Sequence, residues 1–276
     1  ARVVPNSVKA RIRVRRNRND LAQLQRLDCE IGNLRPSTEI DLPAILSSQT
    51  AEDDWIKSSK TTNKFKIPDG TGGVNVGDRK AIFYLINYFK PASVLEVGTH
   101  IGASTIQIAS ALALNNAAND VSGSLTTVDI KDVNDPTTKP WREHGTEYSP
   151  AEMITESSLD SLVEFVAKPS LDFLKKCDRQ FDLIFLDGDH GATTVYQEVP
   201  AALRLLKSHG VILLHDYFPN ATPLWSDKTV VPGPFLAIER LNREGAGLHV
   251  IPLGELPWPT KFQSSMTSLA LLCRDS

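Results

Sequence analysis

The hydrophobic positions of this 276-residue chain change their period near residue 77. Before that point "VKARIRVRRNR" alternates, with Val8, Ala10, Ile12 and Val14 on one side and Lys9, Arg11, Arg13 and Arg15 on the other. Period two predicts an extended strand or arm with one solvated basic face. Residues 20–62 read as short helices and loops, and "IPDGTGGVNV" (67–76) as a glycine-rich lead-in able to fold over a ligand. From Gly77 onward, strands and helices alternate. Ile82, Leu85, Ile86 and Phe89 are spaced for one face of a helix over 78–90, which Pro91 ends. Strands follow at 93–97, 124–130, 162–168, 181–190 and 211–217, separated by helices that include 103–114 and 192–207. A helix over 235–243 and two late strands, near 248–253 and 267–273, complete the set. The short link "FQSSMTS" makes the last pair antiparallel. Apolar strands separated by helices predict an α/β fold: a Rossmann-like, doubly wound, mostly parallel seven-stranded sheet with an antiparallel last strand. The chain divides into an N-terminal extension, 1–76, serving as a lid or oligomer contact, and a main domain, 77–276.

Composition narrows the function classes. Hydrophobic content of 41% and charged content of 23% are ordinary for a globular protein. A net charge of −3 argues against nucleic acid as the main partner, because phosphate binding needs a basic surplus. Three scattered cysteines, Cys29, Cys177 and Cys273, build neither a disulfide framework nor a zinc cluster and read as reduced thiols. With no apolar run of membrane-spanning length, the expectation is a cytoplasmic protein without a membrane partner. The basic face of the first segment reads best as a solvated strand edge or a subunit contact, which is compatible with a homo-oligomer.

The chemistry gathers at the ends of the predicted strands. "SVLEVGTHIGASTIQIASAL" (93–112) is a strand, a tight turn and a helix, the arrangement that holds a nucleotide-like ligand at a helix N-terminus. Gly98 permits a tight turn and Gly102 a close helix approach. The following strand ends supply Asp129; Asp187, Asp189 and His190; and His215, Asp216 and Tyr217. With Glu96, these side chains are expected to meet in one crevice. Clustered carboxylates repel, so their collection implies a ligand rather than a structural purpose. Asp129 suits a ribose diol. The middle glycine of a dinucleotide fingerprint is absent, and Asp129 lies well beyond its ~20-residue spacing, so NAD is disfavoured.

Asp187 and Asp216 end neighbouring strands and invite a shared divalent cation, with His215 or Asp189 completing the shell. Oxygen donors favour Mg2+, while a histidine shifts preference toward softer metals. Such an ion would lower the pKa of an acceptor hydroxyl. Without a metal, Asp187, His190 and His215 are the candidate catalytic residues, either histidine serving as general base. Aromatic and histidine side chains in two long segments, Trp141, His144 and Tyr148 in 131–160 and Tyr217, Phe218 and Trp225 in 217–234, are candidates for an acceptor pocket.

"LEVGTHIGAST", "TTVDI" and "FDLIFLDGDH…LLKSHGVILLHDY" together resemble the class I S-adenosylmethionine-dependent methyltransferases. The resemblance extends over about 77–275. It is strongest to the small-molecule branch with the catechol-type and macrolide-sugar O-methyltransferases and the cephalosporin hydroxylases. It implies S-adenosylmethionine as cofactor, with Glu96, Gly98, Thr99, Gly102 and Ser104 at the methionine end. Asp129 would take the ribose, Ser170 the adenine, and Asp187 would stand beside the reacting end. His100 replaces the middle glycine common in such loops. The family places an Asp-Asn, Asp-Asp or Glu-Asp pair after the fifth strand, where this chain has His215-Asp216-Tyr217. The implied function is methyl transfer to a hydroxyl of a small molecule in specialised metabolism, with divalent-metal assistance. The alternatives are a metal-dependent hydroxylase of the cephalosporin type and a non-catalytic cofactor-binding module.

Overall fold

The computed structural model describes residues 6–71, 73–119 and 122–275. Among them are β1 (Ser93–Val97), β2 (Ser124–Asp129), β3 (Val163–Ala167), β4 (Phe181–Leu186), β5 (Leu206–Leu214), β6 (Leu248–Pro252) and β7 (Ala270–Arg274). They form one sheet in the order β3-β2-β1-β4-β5-β7-β6. The first five strands are parallel, and β7 runs antiparallel to both β5 and β6. Val97 lies beside Val128 and Leu186, and Leu186 beside Leu214. The carboxyl ends of β2, β1, β4 and β5 are therefore level. Winding reverses between β1 and β4, which opens a crevice at the sheet's switch point.

Both faces of the sheet are covered, which explains the nearly continuous apolar runs of its central strands. One face carries α4 (Val76–Phe89), α5 (Thr105–Asn119) and α6 (Pro150–Glu156). Ile82, Leu85, Ile86, Ile106, Ile108 and Leu112 are fully buried there. The other face carries α7 (Ser170–Lys176), α8 (Ala192–Arg204) and α9 (Gly233–Arg243), with Tyr196, Val199, Leu203, Leu236 and Leu241 buried beneath them. Each such leucine contributes roughly 1.5–3 kcal/mol by leaving water. Asn75 starts α4: its side chain accepts from the N–H groups of Gly77 (3.0 Å) and Asp78 (3.1 Å). That cap moves the helix start to Val76, two residues before the predicted one.

Two sequence expectations are corrected. Residues 6–22 form a helix, α1 (Asn6–Ala22), not a strand. Arginine, lysine and alanine are all strong helix formers, and a helix brings Val14 and Leu21 together onto the core under α8 and α9. The helix predicted over 192–207 ends at Arg204, and the strand expected at 211–217 begins at Leu206 and ends at Leu214.

The segment before residue 77 does not stand apart. Leu21 and Leu34 join the core under α8 and α9. The helices α2 (Leu42–Leu46) and α3 (Gln49–Thr62) pack on α4, and Ile45, Ala51, Phe65 and Val74 join the opposite core. Both cores thus draw on the N-terminal segment, which embraces the sheet domain from either face.

Candidate functional site

A cavity of about 490 Å³ lies beyond the carboxyl ends of β1, β2, β3 and β4. The loop after β1 lines it with Gly98, Thr99 and His100, and that after β2 with Asp129, Ile130 and Lys131. Lys168 and Ser170 border it after β3, and Asp187, Asp189 and His190 after β4. Gly73 and Val74, from the glycine-rich lead-in, close one side.

The β1 loop is built so that its backbone faces the cavity. Gly98 has φ +100°, and a Cβ there would collide with the carbonyl oxygen of Asp187, so only glycine fits between the two strand ends. His100 also takes a left-handed conformation, φ 48°, at a cost of roughly 1–2 kcal/mol for a side chain bearing a Cβ. Its N–H donates to Asp129 Oδ2 at 2.9 Å, while Lys131 N–H donates to Oδ1 at 3.0 Å. Asp129 is thereby fixed at the cavity wall with one backbone donor on each oxygen. The His100 ring packs at a tilt against His144, centroids 4.2 Å apart with the planes inclined by 58°, and its Nδ1 is buried without a partner among the described residues. Burial, and then His144, hold the His100 pKa below its ordinary value.

Several residues expected to touch a ligand serve the wall instead. Glu96 is completely buried and does not line the cavity. Its carboxylate accepts from the hydroxyls of Ser104 (2.5 Å), Thr105 (2.6 Å) and Thr127 (2.7 Å), tying β1, β2 and the start of α5 together. Burial pushes its pKa up to about 7, against the opposing pull of those three hydroxyls. Gly102, φ +75°, is likewise outside the cavity; a Cβ there would meet Pro150 of α6 at 2.9 Å. Thr99 and Ser104 do line it, but their hydroxyls are engaged with Thr127 and Glu96.

The residues read as a metal shell form a different arrangement. His215 and Asp216 lie behind the cavity, outside its lining. His215 Nδ1 is 2.8 Å from Asp187 Oδ1, its Nε2 is 3.3 Å from Asp78 Oδ2, and Asp216 stands 3.7 Å away. Burial alone would lower the His215 pKa, but Asp187, Asp216 and Asp78 raise it well above the usual imidazole value. Asp189 is spent at the entry to α8, accepting from Gly191 N–H (2.9 Å) and Thr194 Oγ1 (2.5 Å). Among the described residues, no group of three His, Cys, Asp or Glu side chains is placed to hold a metal ion. As placed, both ring nitrogens of His215 face carboxylate oxygens, Asp187 and Asp78, so neither is turned toward an open position that an ion could take.

His190 is at the cavity edge, 35% exposed, with Nε2 3.5 Å from Asp216 Oδ2 and 3.9 Å from Asp187 Oδ1. Burial would raise the Asp216 pKa, but His215, His190 and Lys261 together hold it below the usual carboxylate range. Asp216 is thus a fixed anion facing the His190 ring.

The aromatic side chains expected to form an acceptor pocket are used for packing. Trp141 and Tyr217 are buried, and Phe218 and Trp225 stack edge to face, centroids 5.5 Å apart, in a small cluster with Val230. Tyr148 packs edge-on against Phe65. The sequence reading missed Lys131, Lys168 and Thr194, all in the cavity lining, and Asp78, the buried partner of His215. Ile130 was signalled only by its place after Asp129: it is 70% exposed at the cavity wall, an apolar surface left open.

Residues 95–217 match a family model described as a methyltransferase domain. None of the curated proteins searched matches the chain. Among solved structures, the fold is similar to the O-methyltransferase TomG from Streptomyces achromogenes, involved in tomaymycin synthesis and solved in complex with SAM (TM-score 0.52, 19% identity, 81% of this chain and 90% of that one). It is also similar to the SAH-bound methyltransferase PaMTH1 from Podospora anserina (TM-score 0.51, 17% identity, 83% and 89%). Cofactor-bound Rv0187 from MTB gives a TM-score of 0.52 at 21% identity, covering 91% and 100%.

Proposed function

We propose that the chain, whose residues 95–217 match a methyltransferase-domain model, is a class I S-adenosylmethionine-dependent methyltransferase that transfers a methyl group to a hydroxyl of a small molecule and does so without a divalent metal. The observation that carries this reading is Asp129, an anchored carboxylate on the wall of the switch-point cavity that also holds His190. The related structures bound to SAM or SAH, one of them an O-methyltransferase, support it.

The cavity fits S-adenosylmethionine. Asp129 keeps acceptor capacity for two ribose hydroxyls, because each oxygen takes only one backbone N–H. Ile130 would offer its exposed apolar face to the adenine, with Ser170, whose hydroxyl bonds the Glu198 side chain, bordering the same wall. The loop from Gly98 to His100 would hold the methionine portion against its backbone, and the Asp187 carboxylate, also in the lining, would meet its ammonium group. When bound, S-adenosylmethionine supplies an electrophilic methyl group on a sulfonium. The protein contributes position, which is worth several kcal/mol of barrier at effective molarities of order 10⁵ M or more.

His190 is the residue placed to take the acceptor proton. Asp216 orients the ring through Nε2, leaving Nδ1 with no partner among the described residues and able to accept a hydroxyl proton. The protonated His215 balances Asp187 and Asp78 behind the cavity, supplying the positive charge that an ion would otherwise bring. The three free cysteines are in keeping with a reducing, cytoplasmic setting.

Methyl-group transfer from labelled S-adenosylmethionine to a panel of polyhydroxylated and phenolic acceptors, with EDTA present, tests this reading. Turnover that survives EDTA and falls about 10²-fold or more in His190→Ala supports it. Turnover that appears only on adding Mg2+ overturns the metal-free mechanism.

A further inference from the structure

We propose that the outward face of α1 docks on an anionic lipid surface. The inference is independent of the methyl-transfer reading. It starts from the strand-to-helix correction. As a strand, residues 8–14 would place Val8, Ala10, Ile12 and Val14 on one protected side. As a helix, the chain turns Val14 and Leu21 onto the body of the protein and leaves Val8 43% and Ile12 60% exposed. At 100° per residue, Val8, Ile12, Arg15 and Asn19 share a stripe opposite the packed face. Arg11 and Arg18 flank that stripe on one side, Lys9 and Arg16 on the other.

The charge is segregated as well. The helix carries six cations and one carboxylate, in a chain whose net charge is −3. Some of these cations are committed: Arg13 to the carbonyl of Val230 (3.4 Å), Arg16 to Asp20 (3.7 Å) and Arg18 to Glu239 (3.6 Å). Lys9, Arg11 and Arg15 have no hydrogen-bond or ion-pair partner among the described residues. Val8 and Ile12 therefore lie exposed among three unpaired cations, Lys9, Arg11 and Arg15, an arrangement that suits an anionic lipid interface, where aliphatic groups meet the acyl boundary and long basic side chains reach the headgroups.

Other occupants fit less well. A nucleic-acid backbone gains nothing from the two exposed aliphatic side chains, Val8 and Ile12. The apolar patch is too small for the core of a stable protein–protein interface. Among the described residues no helix is long and apolar enough to cross a membrane, so the association proposed is peripheral. α1 is also joined to the site region: Asn17 Oδ1 accepts from the N–H of Ala192, two residues beyond His190.

The experiment is co-sedimentation of the full chain with vesicles of phosphatidylcholine alone and of phosphatidylcholine with roughly one third phosphatidylserine. Binding to the anionic vesicles only, released by high salt, is expected. Ile12→Asp and the double variant Arg11→Glu/Arg15→Glu should each weaken it at least about tenfold while melting at the wild-type temperature. Equal binding to neutral vesicles, no binding to either, or variants that bind like wild type would overturn the proposal. So would a self-association, seen by sedimentation velocity without lipid, that Ile12→Asp abolishes; that result assigns the face to a second copy of the chain. Retention of single-stranded RNA without vesicle binding would likewise reject it.

Discussion

Glu96 shows how a residue near a cavity can matter without touching what the cavity holds. Buried and pushed up to about 7 from an ordinary 4.5, its carboxyl binds a proton more tightly in the folded state than in the unfolded chain. Its contribution to stability is therefore fully present below about pH 4.5 and is lost as pH rises through about 7, by on the order of 3 kcal/mol. Glu96→Gln removes this dependence, so denaturant titrations across pH 4.5–7.5 should show a flatter stability profile than wild type. A parallel profile would mean that Glu96 does not hold a raised pKa. His215 acts in the opposite electrostatic sense, as a buried cation among Asp78, Asp187 and Asp216. His215→Gln leaves those carboxylates uncompensated and should cost about 3–5 kcal/mol, with part of it recovered in His215→Gln/Asp78→Asn. Additive losses in that double-mutant cycle would show that the two residues are not coupled. The sequence announced an acidic crevice at the strand ends, and Asp129, Asp187, Asp189 and His190 do line it. It could not announce that Glu96 turns inward, because that depends on three hydroxyls brought together by the fold. Asp78 was silent for the same reason: it sits in the first turn of α4, far along the chain from His215, and meets it only because α4 packs on the sheet.

At the scale of elements, the apolar runs of β1, β4 and β5 were legible because sheet burial leaves a direct mark on composition, and the antiparallel β6–β7 pair was read from the link "FQSSMTS". Boundaries were less so. The α4 start depends on the Asn75 cap, a side-chain bond invisible to hydrophobic periodicity. Asn75→Ala should destabilise the protein by about 1–2 kcal/mol, measured by thermal or urea unfolding; no loss would mean the cap is redundant. α1 was misread because alternation in so short and basic a run is equally compatible with a helix, and the choice is made by the apolar surface of α8 and α9. The glycine at 98 is read correctly from either direction: its positive φ and its contact with the Asp187 backbone both exclude a side chain.

For the molecule as a whole, the sheet order, the switch-point cavity and the two cores built partly from the first 76 residues describe one packed unit. What the pattern along the chain left out was the role of its aromatic residues. Trp141, Phe218 and Trp225 hold long segments down, so the end of the cavity near His190 is walled by polar groups such as Asp187. The central claim is that this cavity takes S-adenosylmethionine through Asp129, and calorimetric titration with S-adenosylhomocysteine tests it most directly. Saturable binding to wild type in EDTA, weakened at least about tenfold in Asp129→Ala as expected for lost hydrogen bonds to a charged group, is the predicted result. No binding of S-adenosylhomocysteine, with or without Mg2+, would contradict the account.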